Sequence, residues 1–181
     1  MEPVDISGGS DHETRVLDAA ERLFYSRGIQ AVGMDELRTA AGVSLKRLYQ
    51  SFPSKEALVA AYLDRRDERW LSSLRTFVGD GGVLEVFAWL VQWFGSEDFR
   101  GCAFLNAFGE LGDQVVRPVR RHKDRLHAYL RELAVREGAP DPDLRADQLL
   151  ILVDGATVTA MLGRPNAAGA ALRLALPDVR V

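Results

Sequence analysis

Residues 40–58 read AAGVSLKRLYQSFPSKEAL, and the stop signals inside this stretch decide the fold class. Gly42 ends one helix-compatible run. Phe52-Pro53 ends the next, because proline disfavours helical geometry in the residue before it. Between them Ser44 is placed to cap a helix of about seven residues that closes near Ser51. Working outward, Met34, Leu37 and Ala41 share one face of a short helix ahead of the glycine. Ser54 opens a long helix behind the proline, running to about Val78, where Gly79-Asp80-Gly81-Gly82 breaks it.

The same punctuation divides the whole chain. Ser10-Asp11-His12-Glu13 has the form of a capping box ahead of a helix from about Asp11 to Ser26, ended by Gly28. Beyond the glycine break, helical spacing continues over about 83–94, 101–111, 114–137, 142–162 and 166–175. No segment alternates with period two. The reading is all-α with nine helices: a disordered tail over 1–9, a helix-turn-helix unit over 10–53 and a helical body over 54–181.

Composition excludes several classes. No apolar run reaches the ~18 residues of a membrane span, and the acidic N-terminus is no secretory signal, so a cytoplasmic location is expected. One cysteine among 181 residues allows no internal disulfide, and the three histidines show no zinc-type spacing, so neither metal nor cofactor is expected. The net charge of −3 argues against a general polyanion binder. Yet from Leu37 to Lys55 the charged side chains are Arg38, Lys46, Arg47 and Lys55, all basic.

Two short helices joined by a tight glycine turn describe a helix-turn-helix, whose second helix fits a DNA major groove. Gly42 permits the positive φ of the turn. Val43 and Leu48 face inward, and Ser44 presents a capped helix N-terminus toward phosphate. Leu45, Lys46, Arg47 and Gln50 are left on the outer face. Arg and Lys match guanine O6/N7, and Gln matches adenine N6/N7. Tyr49 and Lys55 sit at the edges, suited to backbone oxygens.

Residues 14–58, TRVLDAAERLFYSRGIQAVGMDELRTAAGVSLKRLYQSFPSKEAL, closely resemble the DNA-binding domain of TetR-type transcriptional repressors. The shared elements are Thr14-Arg15, Ala-x-x-Leu-Phe, Arg-Gly, the Gly-Val-Ser turn, Leu-Tyr and Phe-Pro-Ser-Lys-Glu. The resemblance implies a dimer that reads a palindromic operator with Thr14, Arg38, Ser44, Leu45, Lys46, Arg47, Tyr49, Gln50 and Lys55. It also implies a helical body that binds a small effector. Arg38 stands where the family has a small residue, and Ser44-Leu45-Lys46-Arg47 replaces the common Ser-Lys-Gly-Thr, so base preference does not carry over.

In the body, residues 84–108 hold seven aromatics within 22 positions, a density that suits either a core or an apolar pocket with a few placed polar groups. Trp70, Trp89, Gln92, Trp93, Cys102, Phe104, Asn106 and Phe108 are the candidate effector contacts. Cys102 has only Arg100 as a nearby basic partner in sequence, and reads as a core thiol. The basic run Arg117, Arg120, Arg121, Lys123, Arg125 reads as a solvated helix face. Gly155, Ala156, Thr159, Ala160 and Gly163 on the next helix are small enough for close approach of a second copy, giving with Leu152 the expected dimer contact. A small helical enzyme is the reading from another class. It lacks a nucleophile–base pair at recognisable spacing, a phosphate loop and a metal cluster. A helical interaction module that has lost DNA binding is opposed by the basic face over 44–50.

Overall fold

The structure, a computed structural model, describes residues 11–164 and 166–176. The expected tail over 1–9 and Ser10 of the expected capping box lie outside them. Nine α-helices occur among the described residues: α1 (Asp11–Arg27), α2 (Met34–Ala41), α3 (Leu45–Ser51), α4 (Lys55–Val78), α5 (Val83–Phe94), α6 (Ala103–Leu111), α7 (Val116–Arg136), α8 (Pro142–Met161) and α9 (Ala167–Ala175). A 3-10 turn over Gly112–Val115 precedes α7, where a continuous helix from 114 is expected. Likewise α6 starts at Ala103 rather than 101, because Gly101 takes φ +82°.

The chain packs as two compact units that divide within α4, between Arg66 and Asp67. Phe52-Pro53 is thus a helix boundary, while the packing division falls thirteen residues beyond the 53/54 boundary read from punctuation, inside the next helix. The reason is that the first half of α4 completes the core of the N-terminal unit. Leu58, Val59, Tyr62 and Leu63 are buried there, with Tyr62 edge-on to Phe24 of α1 at 5.5 Å. Arg65 donates to Asp18 at 2.8 Å and to Glu21 at 3.3 Å; Arg66 donates to Glu21 at 2.9 Å and lies over the Tyr25 ring at 3.7 Å.

In the C-terminal unit, α7 packs on α8, α8 on α9, and α9 on α5. The core runs through Leu74, Phe87, Leu90, Leu126, Leu130, Leu133 and Leu149, all essentially inaccessible to solvent. Glu85 and Glu137 supply carboxylate acceptors for the first amides of α5, from Gly82 and Val83 at 2.7 Å each. Asp141 caps α8 by accepting from the Leu144 amide at 3.0 Å, with Pro142 at its first turn. These caps fix where each helix begins, and so which residues face the core.

Gly42 adopts φ 63°, ψ 38°, the left-handed conformation that ends α2, and the only atom a Cβ there would meet is Arg15 Nη1 at an ordinary 3.7 Å. The cost of Gly42→Ala is therefore conformational, about 1–2 kcal/mol. Chemical denaturation should show Gly42→Ala less stable by about that amount.

Candidate nucleic-acid interface and the thiol cluster of the body

The side chains expected to read DNA occupy one surface of the N-terminal unit. Val43 and Leu48 are buried; they seat α3 against α1 and α2. Ser44 caps α3, its Oγ accepting from the Arg47 amide at 3.3 Å. At 3.6 residues per turn, Lys46 and Gln50 point away from Leu48, with Arg47 on one flank and Leu45 and Tyr49 on the other. All five are exposed. His12, Glu13, Arg47, Gln50 and Ser51 line an open groove beside this ridge. Thr14 is exposed on α1, and Lys55 is half-buried at the start of α4. Arg38 is half-exposed and donates from Nε to Asp35 at 2.7 Å, so its charge is largely satisfied on α2 itself.

The effector candidates do not form one set. Trp70, Trp89 and Trp93 pack on each other at 4.9–5.5 Å between centroids, with Trp89 and Trp93 stacked as their spacing of four requires. Phe94 and Phe99 extend the cluster from Trp93. Trp89 belongs to the core and donates to Ser73 Oγ at 3.4 Å. Phe104 is buried and lies flat on the His122 imidazole at 3.8 Å. Gln92 and Phe108 face solvent, and Asn106 donates its amide to the Arg100 carbonyl at 2.8 Å.

Cys102 is the surprise. It sits immediately before α6, and Lys123 Nζ of α7 lies 3.9 Å from its Sγ, with the His122 imidazole near enough to shift the thiol. His122 Nδ1 pairs with Asp67 at 2.7 Å, and Arg125 donates to the other Asp67 oxygen at 2.5 Å. Lys123 also meets Asp154 of α8 at 2.5 Å. Two members of the supposed solvated basic face, Lys123 and Arg125, thus turn inward to buried or half-buried carboxylates. The sequence showed no nucleophile–base pair because its members lie on different helices. A signal was present all the same. Asp67 falls four residues after Leu63 and four before Leu71, and His122 four before Leu126, so each polar group sits on an apolar helix face.

Burial pushes the Cys102 thiol up, but the His122 hydrogen bond and the Lys123 and His122 charges outweigh it and hold it below its ordinary value. Burial pushes His122 down, yet its bonds to Asp67 and Cys102 raise it. Asp67 is lowered by His122 and Arg125 against its own burial.

On the face of α8 away from its core contacts, Leu144, Ile151, Gly155, Val158 and Leu162 are exposed in a stripe, joined by Leu174 of α9. Among the expected dimer residues Gly155, Thr159 and Gly163 are exposed, Leu152 and Ala160 are half-buried, and Ala156 packs into this chain's own core.

The model of the TetR family of bacterial regulatory proteins matches residues 16–62. The chain is 32% identical to SCO4454, a TetR-family transcriptional regulator from Streptomyces coelicolor, over 92% of this chain and 87% of that one, with a TM-score of 0.84. It is 34% identical to a putative TetR transcriptional regulator of Streptomyces avermitilis, over 91% and 97% of the two chains, with a TM-score of 0.78. Among curated proteins, the uncharacterized HTH-type transcriptional regulator MT1294 of Mycobacterium tuberculosis is 51% identical over 55 residues, 30% of this chain and 27% of that one. The HTH-type transcriptional activator FasR of Mycolicibacterium smegmatis is 44% identical over 61 residues, 34% and 28%. The chain therefore matches little more than a quarter of the length of these curated relatives.

The cluster makes stability depend on pH in an unusual way. A histidine raised from its ordinary 6.5 contributes stability that is full below that value and is lost as pH climbs through the raised one. A thiol lowered from its ordinary 9.0 contributes stability that is full above 9.0 and is lost as pH falls through the lowered value. Where the two windows overlap, above the histidine's ordinary 6.5 and below the thiol's ordinary 9.0, the slopes oppose. Cys102→Ala should remove the thiol's opposing slope, so that the melting temperature falls more steeply with pH than in wild type, read by scanning calorimetry.

Proposed function

This chain belongs to the TetR family of bacterial DNA-binding transcriptional regulators, and from that membership we propose that it binds a palindromic operator as a homodimer, acting as a repressor released by a small, mostly apolar effector. The observation that carries the DNA reading is the exposed Lys46–Gln50 ridge of α3, anchored from behind by Leu48 and capped by Ser44. Lys46, Arg47 and Gln50 are the base readers in this proposal. Thr14, Tyr49 and Lys55 hold the phosphate backbone, and Arg38, engaged with Asp35, plays a smaller part. The protein works in the cytoplasm, where its DNA is; no described helix is long and apolar enough to cross a membrane.

The exposed apolar stripe on α8, with Leu174 exposed on α9, supports the dimer. Contiguous large apolar side chains on a surface mark an interaction site, and a Cβ built on Gly155 or Gly163 meets nothing within 4 Å of its own chain. Gly163 is accounted for by its positive φ at the end of α8, whereas Gly155 is unexplained by internal packing and suits close approach of a second copy. The effector is assigned to the body, against the aromatic cluster about Trp70, Trp93 and Phe104. Release would be a population shift: an effector favouring the DNA-incompetent form tenfold contributes about 1.4 kcal/mol of coupling.

Two measurements test this. With duplexes selected from a random library and read by fluorescence anisotropy at fixed salt, Gln50→Ala or Arg47→Ala should lose roughly 1–3 kcal/mol and relax base preference, while Lys55→Ala weakens all sequences alike. Unchanged affinity in both α3 variants would remove this ridge from the readout. In light scattering at micromolar concentration the wild type should be dimeric. Ile151→Glu, a change on an exposed face that leaves the core intact, should be monomeric. Ala156 is unsuitable for this purpose, since a charge there would report folding. A monomeric wild type would overturn the interface.

A further inference from the structure

We propose that Cys102 captures the effector covalently, and that the effector is an α,β-unsaturated carbonyl compound with an apolar body. This rests on the regulatory reading above and specifies its ligand. Four elements converge on the thiol. Cys102 comes from the start of α6, His122 and Lys123 from α7, Asp67 from α4, and Asp154, the partner of Lys123, from α8. A thiol that merely fills a core needs none of them; in apolar surroundings it is protonated and inert. Drawing a carboxylate, an imidazole and an ammonium out of water around it is costly.

The members are graded in depth. Asp67 is 0% exposed, His122 2% and Cys102 9%, so the sulfur is the outermost of the three. The order carboxylate, imidazole, thiol toward the surface is the arrangement that orients a base and activates a nucleophile. Apolar walls stand beside it: Phe104 stacked on His122 at 3.8 Å and Trp70 edge-on at 5.3 Å. The chain has no second cysteine, so an oxidised Cys102 has no resolving thiol within the chain. Carbon–sulfur bond formation gives a lasting product without one.

The step balances. The Cys102 thiolate attacks the β-carbon, an S–C bond forms and the C=C π bond opens. Its electron pair moves through the carbonyl to give an enolate, whose oxygen Lys123 can stabilise. The enolate then takes the His122 proton that Asp67 does not hold, leaving a thioether and a neutral imidazole, with no net oxidation. The consequence falls on α4. Asp67 loses its cationic partner on the imidazole and keeps Arg125 alone, and Asp67 follows directly after Arg65 and Arg66, which grip α1.

The experiment uses the full-length protein and 2-cyclohexen-1-one, a small apolar enone. Intact-mass spectrometry follows single-adduct formation against pH, and anisotropy follows release of a library-selected duplex. An ordinary thiol slows about tenfold for each pH unit below its pKa. The expected profile for Cys102 is displaced to lower pH than that of a free thiol, and His122→Gln moves it back toward the ordinary one. Lys123→Ala, a milder change, should slow addition if the glutamine variant does not fold. Adduct formation and DNA release should advance together, and Cys102→Ala should abolish both. An ordinary, undisplaced profile in wild type would overturn the activated thiol, whatever the DNA result. A fast adduct without release would overturn its role in regulation. Release by hydrogen peroxide but not by the enone would overturn the ligand class. Failure of the duplex selection itself would count against the regulatory reading, while the adduct kinetics would still judge the thiol.

Discussion

A carboxylate with no access to water, in the middle of a 24-residue helix, must be matched by cations or remain protonated. Asp67 is that group, and its partners set the register of α4 against α7. His122 and Arg125 meet it within 2.7 Å. Further along, Arg75 donates to Glu132 at 3.0 Å and lies over the Tyr129 ring at 4.2 Å. As α4 advances from Asp67 to Arg75, its partners on α7 advance from His122 and Arg125 to Tyr129 and Glu132. The two helices therefore run in the same direction with matched rise. Sliding either by one turn would leave Asp67 buried without its cations, a penalty of several kcal/mol that apolar packing alone would not impose. Leu74, Leu126, Leu130 and Leu133 are interchangeable by chemistry; the ion pairs decide which of them meet.

Elements carried by local punctuation were legible in the sequence, and elements carried by distant partners were not. Gly42, Ser44, Phe52-Pro53 and Asp141-Pro142 each act through the backbone within one turn, so helix ends near them could be read directly. The start of α6 was misplaced because Gly101 could have continued the helix; its positive φ is imposed by the fold. In the site, the outward face of α3 follows from Leu48 by helical geometry alone. The thiol cluster does not. Its members lie on α4, α7 and α8 and just ahead of α6, and only tertiary packing joins them. What could have been seen was the conflict: a carboxylate and an imidazole, each at a position that helical spacing assigns to the core.

An acidic chain can present a cationic face when several of its other cations are occupied. In the N-terminal unit Arg27 pairs with Glu36, Arg38 with Asp35, and Arg65 and Arg66 with Asp18 and Glu21. Lys46 and Arg47 form no ion pair among the described residues. The net charge of −3 is thus a poor guide to the field near α3. In the proposed complex this short cationic ridge would favour docking in one orientation, with base reading left to the few side chains on it.

Helix α8 shows why a second surface was half visible. Leu149, Val153 and Ala156 pack inward, Leu144, Ile151 and Val158 stay outside, and Asp143, Asp147 and Asp154 pair with Arg131, His127 and Lys123 of α7. With apolar residues on two sides of the helix, periodicity does not say which side is core, so small residues were the natural pointer to an interface. The small residues read from the sequence lie on both faces of the helix, since Ala156 is internal and Gly155 external. The two adjacent positions serve different ends. Ala156 lets α8 lie close to its own neighbours, where a larger side chain would overpack the core. Gly155, with nothing near its Cα, leaves a depression between Ile151 and Val158. Flanking apolar side chains around a missing one make a self-complementary surface, in which the ridge of one copy can enter the gap of another across a two-fold axis. A palindromic DNA site asks the same two-fold symmetry of the proposed dimer.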